Sequence, residues 1–492
     1  AGVLVMLTVF IILIWRCAKV TINAPDLFGM LFAGGVTMMI GIQVILNIAV
    51  VTSSMPPTGV ALPFISYGGN TLWIFMGCIG ILLNISRQST LYESKEDRGS
   101  LRTSFRRRRS VRKNKAGRSE KRKVYMRVIV TGGGTGGHIY PALAIADEIK
   151  KREPDSDILY IGNDIGLEKD IVPKTGYPIE YVAARWFDKS NVFELAATGF
   201  VTFRGVRQTL KIMKKFKPDA VIGTGGFVCF PVIYAGHKYG AKCYIHEQNA
   251  YPGMANRGLE RFVDRVFLGF NEASEFFKEP EKHKYVGNPV REVFFNADMK
   301  SARRNLDIDE NKFVCFVFGG SQGAEQINYA MFDLIKMISE NEDMVLLFGT
   351  GTMYYDEIME KVKELGIDIN DRVRMEPYIN RMQDYISAAD LVVGRAGALS
   401  VAEMCVSGRA CLLIPSPNVT GNHQYFNAKS VADKGGAIIL EEKNLTSKSL
   451  SDLVMRLSSD PHKLKTMGEM GSKAVLHNSA ELIYESIKED LK

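Results

Sequence analysis

Three glycine-rich turns and one His-Glu-Gln-Asn run hold the residues of this 492-residue chain whose types and spacing could do chemistry. In Thr131-Gly132-Gly133-Gly134-Thr135-Gly136-Gly137-His138, backbone N–H groups with little side-chain cover run straight into a histidine. Such a turn ahead of a helix suits an anion. An imidazole with a reference pKa of ~6.5 suits removal of a hydroxyl proton near neutrality, although a histidine after a glycine turn is, taken alone, more often a structural hydrogen-bond donor. His246-Glu247-Gln248-Asn249 offers Glu247 as a rival base, with His246 beside it to orient it. Gly319-Gly320-Ser321-Gln322-Gly323-Ala324 and Gly394-Arg395-Ala396-Gly397-Ala398 are the other turns, the last with Glu403 about one helical turn beyond it. Amides that stabilise a departing phosphate, and a side chain that accepts a proton, are the parts of a group-transfer site.

Two other chemistries fit less well. The glycines at 132, 134 and 137 satisfy G-x-G-x-x-G, but a dinucleotide site wants an acid at the end of the following strand, about 20 residues on. That strand, Ile158–Ile161, ends in Gly162-Asn163, with Asp164 displaced. Asp155-Ser156-Asp157 and Asp307-Ile308-Asp309 have the spacing of some metal-dependent transferases. One pair precedes its strand and the other lies in a charged connector, so both read as surface acids. Neither a cofactor nor a metal is expected.

The turns follow short apolar runs, each of which predicts a strand: Arg127–Val130, Ile158–Ile161, Ala220–Gly223, Cys243–His246, Phe313–Phe318, Val345–Phe348 and Leu391–Val393. An amphipathic helix is predicted at about Pro141–Arg152. Strands alternating with helices imply parallel sheets. The pattern restarts after Gly287-Asn288-Pro289-Val290-Arg291, so the reading is α/β, with two Rossmann-like halves joined near residue 290. Ligands then lie beyond the carboxyl ends of the strands.

Composition separates this body from what precedes it. The net charge of +8 hides three regimes. Residues 1–86 carry only Arg16, Lys19 and Asp26, whereas residues 87–127 hold 16 basic and 4 acidic residues. The apolar head reads as a membrane region with spans at 1–15, about 28–51 and about 69–85, the first beginning mid-span at Ala1. Arg16 and Lys19 follow the first span and Arg87 the third, which puts both on the cytoplasmic side and the loop 52–68 outside. The tract 87–125 reads as a basic, disordered linker. Next to a span its partner is expected to be anionic lipid rather than nucleic acid. Met126-Arg127 has the look of a second reading frame's start. The seven cysteines form no C-x-x-C pair, and they read as reduced, buried thiols.

The motifs Gly133–His138, His246–Asn249, Gly287–Arg291, Gly319–Ala324 and Arg395–Ala398 resemble, in order, those of the MurG family of peptidoglycan glycosyltransferases. The resemblance implies a GT-B fold over 126–492, with an acceptor-side domain at 126–289. A UDP-GlcNAc domain follows at 290–492, its last helix packing back on the first domain. It implies inverting, metal-free transfer of GlcNAc from UDP-GlcNAc to the undecaprenyl-pyrophosphate-linked muramyl pentapeptide, lipid I. His138 and Glu247 are the implied catalytic residues. The implied donor contacts are Thr135, Gly136, Gly137, Asn249, Arg291, Ser321, Ile379, Ala398, Leu399, Ser400, Val401, Ala402, Glu403 and Gln424. Among them, Ile379 would read uracil through its backbone and Glu403 would hold the ribose hydroxyls. His423 stands where the family often has a second Gln. The apolar and basic stretch 185–217 suits either lipid docking or core packing. Residues 1–86, through Met55–Gly59 and Leu62–Gly69, resemble the final spans of the FtsW/RodA/SpoVE family, without a residue matching its catalytic aspartate. Other cell-wall or division proteins are then candidate partners at the cell membrane. The alternative is a membrane-anchored scaffold with a degenerate sugar-nucleotide site.

Overall fold

The computed structural model describes residues 2–22, 27–56, 59, 62–64, 75–84, 86, 126–186, 192–296, 298–320 and 322–492. The linker 87–125, residues 57, 58, 60, 61 and 65–68 of the loop 52–68, residues 187–191 of the 185–217 stretch, and Ser321 lie outside them. The chain divides into two compact units, Ala1–Arg122 and Lys123–Lys492.

In the first unit, helices Gly2–Ile22, Leu27–Val51 and Phe75–Asn84 pack through Phe10, Ala33, Val36, Ile40, Val44, Phe75 and Leu82. Against the three spans expected, one stretch among the described residues, Gly29–Val51, is long and apolar enough to cross a membrane. The first helix runs through Arg16 and Lys19 to Ile22, with the Lys19 ammonium 4.5 Å from the Trp15 ring centroid. Phe75–Asn84 is a shorter apolar helix.

The second unit contains two sheets, parallel throughout. The first comprises β1 Arg127–Thr131, β2 Asp157–Gly162, β3 Ile179–Tyr181, β4 Ala220–Gly223, β5 Lys242–Glu247, β6 Arg265–Leu268 and β7 His283–Tyr285, in the order 3-2-1-4-5-6-7. The second comprises β8 Phe313–Phe318, β9 Met344–Gly349, β10 Val373–Glu376, β11 Leu391–Gly394, β12 Ala410–Leu413 and β13 Ala437–Ile439, in the order 10-9-8-11-12-13. This is the expected fold class. The strands read from apolar runs are buried on both faces by flanking helices, which is why they lack polar alternation. Of the strands that apolar runs did not announce, β3, β7, β10 and β13 lie at sheet edges, where pairing on one side suffices for three or four residues. The helix expected at Pro141 begins at Gly136, because the glycines themselves form its first turn.

The order in which successive strands are added reverses between β1 and β4 in the first sheet and between β8 and β11 in the second. The turns after β1, β4, β8 and β11 therefore face the crevices in which a doubly wound sheet binds ligands. The terminal helix Ser479–Asp490 contributes Ile483, Tyr484 and Ile487 to the core of the first sheet, beside Val128, Ile139 and Tyr244. Arg265 clamps Asp490 at 2.5–2.7 Å, and Lys488 meets Glu153 at 2.5 Å. In the helix Val192–Phe216 the C-terminal half is core, through Val206, Leu210 and Met213. Phe200 and the preceding Trp186 are 70% and 64% exposed.

Candidate functional site

The first turn leaves β1 at Thr131 and enters the helix Gly136–Arg152. Its early amides are already engaged: Gly133 N–H donates to Gly225 O at 3.2 Å and Gly134 N–H to Glu168 Oε2 at 3.0 Å. Glu168 is fully buried beneath the turn and also accepts from Asn163 N–H at 3.0 Å. Glycine is required here, since a Cβ on Gly133 would lie 2.5 Å from Glu168 Oε1. The next residues, Thr135, Gly136 and Gly137, begin the helix with no side-chain cap, so their amides open outward.

His138 sits at the β1/β4 switch. Its Nδ1 is 3.0 Å from the Thr224 carbonyl and 3.2 Å from Gln248 Oε1. Both partners accept, so Nδ1 carries the proton and Nε2 keeps its lone pair. Thr224 Oγ1 donates back to the His138 carbonyl at 2.6 Å. The neighbouring turn must be bare, because a Cβ on Gly225, at φ +112°, would sit 2.6 Å from His138 Nδ1.

Glu247 is placed differently from a free base. It is 1% exposed, and its Oε1 accepts from Asn249 N–H and Nδ2 at 3.0 and 3.1 Å. Its Oε2 accepts from Gly253 N–H and Asn256 Nδ2 at 3.0 and 2.9 Å. Four donors surround one carboxylate, which folds the 247–256 loop around it. The His246 ring makes its hydrogen bonds elsewhere than to Glu247. Fully buried on β5, it donates from Nε2 to Gly287 O at 2.9 Å and accepts at Nδ1 from Gln248 Nε2 at 3.0 Å. Burial lowers its pKa to about 4, so it is neutral.

In the second half, the turn after β11 leads into the helix Ala398–Val406, whose first amides have no side-chain cap. That uncapped N-terminus, formed by Ala398, Leu399 and Ser400, carries partial positive charge. Val401 and Ala402 are buried behind it. Glu403 is on the same helix with 13% of its side chain exposed, and burial raises its pKa against the opposing pull of Arg291. Arg291 Nη2 meets Glu403 Oε1 at 3.1 Å. Its guanidinium lies 4.9 Å from the rings of both Tyr140 and Phe294. Tyr140 belongs to the helix that begins at Gly136, so this pair bridges the two sheets' site residues. Ile379 is buried in the loop after β10, with its side chain against Gly349. Gln424 Oε1 accepts from Ser416 N–H at 2.9 Å, whereas His423 turns to its own loop at Thr420 O. Ser321 lies outside the described residues.

A second bridge comes from Asn427, which sequence reading missed. Fully buried, its Nδ2 donates to Asn249 Oδ1 at 3.2 Å and to Ala396 O at 3.1 Å, and its Oδ1 accepts from Ala250 N–H at 2.8 Å. Asn249 is thus held between Glu247 and the donor-side turn. Tyr140, Gln248 and Glu168 also went unread as site residues. Only the first two had a signal, since each stands within or beside a motif. His138, Gln248, Asn249 and Asn427 form one contact-linked set, and Tyr140, Arg291 and Glu403 form a second, joined to the first through the helix Gly136–Arg152. Such a site can take a proton on one wall and hold a nucleotide's leaving phosphates on the other.

The glycosyltransferase family 28 N-terminal domain matches residues 128–268, and the family 28 C-terminal domain matches residues 314–483. The cell cycle protein family of FtsW, RodA and SpoVE matches residues 1–91. The UDP-N-acetylglucosamine–N-acetylmuramyl-(pentapeptide) pyrophosphoryl-undecaprenol N-acetylglucosamine transferase of Acetivibrio thermocellus is 41% identical over 367 residues, covering 75% of this chain and 99% of that protein. The protein of the same name from Bacillus cytotoxicus is 40% identical over 367 residues, covering 75% of this chain and all of its own. Among solved structures, MurG of Acinetobacter baumannii aligns with a TM-score of 0.59 at 25% identity, covering 74% of this chain and 99% of that one.

Proposed function

The chain belongs to glycosyltransferase family 28, and from that premise we propose that its body transfers GlcNAc from UDP-GlcNAc to lipid I with inversion, forming lipid II. His138 Nε2 removes the proton from the acceptor sugar's hydroxyl as its oxygen attacks C1 of GlcNAc. The C1–O bond to UDP breaks, and the electron pair leaves on the β-phosphate oxygen. The uncapped amides of Ala398, Leu399 and Ser400 face that developing charge. Glu403 takes the ribose hydroxyls once Arg291 turns toward the diphosphate. Ile379 reads uracil, and Thr135, Gly136 and Gly137 present amides to the acceptor's pyrophosphate or to the donor. Glu247, with its four donors, holds the loop that carries Asn249 rather than acting as the base.

The observation that carries this reading is His138 Nδ1 set 3.0 Å from the Thr224 carbonyl, which leaves Nε2 as the ring's acceptor, on a wall linked by Asn427 and Arg291 to the donor helix. The decisive experiment is transfer of labelled GlcNAc to lipid I by His138→Ala. The expected loss in kcat is about 10²–10⁴-fold, with UDP binding retained. Undiminished turnover would remove His138 from the chemistry.

We propose that the apolar unit holds this body at the membrane that carries its acceptor, a reading supported by the apolar stretch Gly29–Val51 and the family match of residues 1–91. We place the body on the cytoplasmic face, with the basic tract against anionic lipid. Ser54 and its neighbours lie outside, which requires a second crossing beyond Gly29–Val51. Reaction of an impermeant thiol reagent with Ser54→Cys in intact cells tests that topology.

A further inference from the structure

The transfer reaction accounts for His138, yet the two polar side chains behind it are more deeply buried than the base itself. His246 is fully buried, and Gln248 is 2% exposed. Their hydrogen bonds can be directed without ambiguity, because the chain of contacts starts from a group that only accepts. The carbonyl of Gly287 lies 2.9 Å from His246 Nε2, so Nε2 bears the proton. His246 Nδ1 is then a lone pair, and it accepts from Gln248 Nε2 at 3.0 Å. Gln248 Nε2 gives its other proton to the His246 carbonyl at 3.1 Å. The amide's nitrogen end is thereby spent, which turns Oε1 toward His138 Nδ1 at 3.2 Å. The main chain is pinned as well, with Asn288 Nδ2 donating to Gln248 O at 3.0 Å and Asn256 Nδ2 to His246 O at 3.3 Å.

We propose that His246 and Gln248 are positioning residues that aim the bare Nε2 of His138 at the acceptor hydroxyl and steady the imidazolium that forms there. When Nε2 takes the proton, Nδ1–H becomes a charged donor facing two oxygens, Gln248 Oε1 and Thr224 O. Hydrogen bonds from charged donors are shorter and stronger than neutral ones. The support is therefore greatest in the transition state, where it lowers the barrier rather than improving substrate binding. The carboxylate of Glu247 is absorbed by its own loop, so the oxygens facing the imidazolium are neutral.

This rests on His138 as the base, and two measurements separate the ideas. The full chain, labelled with 15N-histidine in lipid, is expected to show His138 as Nδ1–H and His246 as Nε2–H near neutral pH, with His138→Asn assigning the first signal. The opposite tautomer at either residue overturns the proposal without any variant having to fold. Gln248→Met keeps the side chain's length and removes its polar atoms. The expected kcat falls about ten- to hundredfold, while KM for UDP-GlcNAc stays within about twofold. An unchanged kcat, or a KM that rises as much as kcat falls, overturns the positioning role. If His138→Ala retains turnover while the tautomers are as stated, the base assignment fails and the proposal falls with it. The hydrogen-bond chain then remains as structure alone.

Discussion

Glu403 has a partner that the sequence did not announce. That partner is Arg291, which lies within hydrogen-bond reach and 4.9 Å from each of two aromatic rings. Both are donor contacts in the expected scheme, so UDP-GlcNAc must exchange their mutual pair for its own oxygens. Glu403→Ala removes a charge-assisted bond worth about 1.5–3 kcal/mol, and KM for UDP-GlcNAc is expected to rise at least about tenfold with a smaller change for lipid I. Equal losses toward both substrates would mark a structural residue instead. Because burial raises the carboxyl's pKa, KM for UDP-GlcNAc should begin to rise, as the pH falls, at a higher pH than an ordinary glutamate would give. His246 has the opposite consequence, acting on stability. Its pKa is lowered from 6.5 to about 4 in the fold. The unfolded chain therefore binds the proton first, and stability is full above pH ~6.5 and lost as the pH falls toward 4. Urea unfolding at pH 5 should show a loss of about 2 kcal/mol from this group. His246→Asn should flatten that slope, and an identical slope would refute the assignment.

Elements bring these residues together in a way that depends on two connections. Asn427 stands on the helix His423–Ala432 of the second sheet's half, and its amide closes onto the 249–250 loop of the first. Arg291, just beyond β7, does the same for the helix that starts at Gly136. Asn427→Ala would leave the Ala250 N–H and the Ala396 carbonyl without their buried partner, at about 1–3 kcal/mol. A lowered melting temperature is expected, together with a smaller upward shift on adding UDP than the parent chain shows. A variant with normal stability and a normal UDP shift would show that the bridge does nothing.

At the scale of the molecule, a family 28 body of about 370 residues follows an apolar unit that matches the cell cycle protein family. Composition reads the 39 residues 87–125 between them as coil. Such a coil would span about 35 Å end to end, more with self-repulsion. Tethering then replaces a bimolecular encounter with an effective concentration on the order of mM. A chain beginning at Met126 is expected to keep full activity on a soluble short-chain lipid I analogue. On lipid I in vesicles it should be slower at low enzyme concentration, with the deficit closing as enzyme is added. Equal rates on vesicles at every concentration would make the apolar unit dispensable. Docking would then fall to the exposed Trp186 and Phe200.

The sequence by itself determined the strands that apolar runs announce, the turns after β1, β8 and β11, and the family whose motifs those turns carry. These are local properties: burial on both faces demands continuous apolar residues, and a backbone at φ +84°, as at Gly134, favours glycine. Edge strands such as Ile179–Tyr181 escaped because three residues paired on one side need no apolar run. The partners of the site residues were not legible at all. Glu247 looked like a free acid until its four donors were in place, and Gln248 looked like a spacer until His246 fixed which end of its amide faces His138. Asn427 lies 178 residues from Asn249. Tertiary structure alone decides such matters, because whether a polar group is a reagent or a brace depends on which donors and acceptors the fold has already assigned to it.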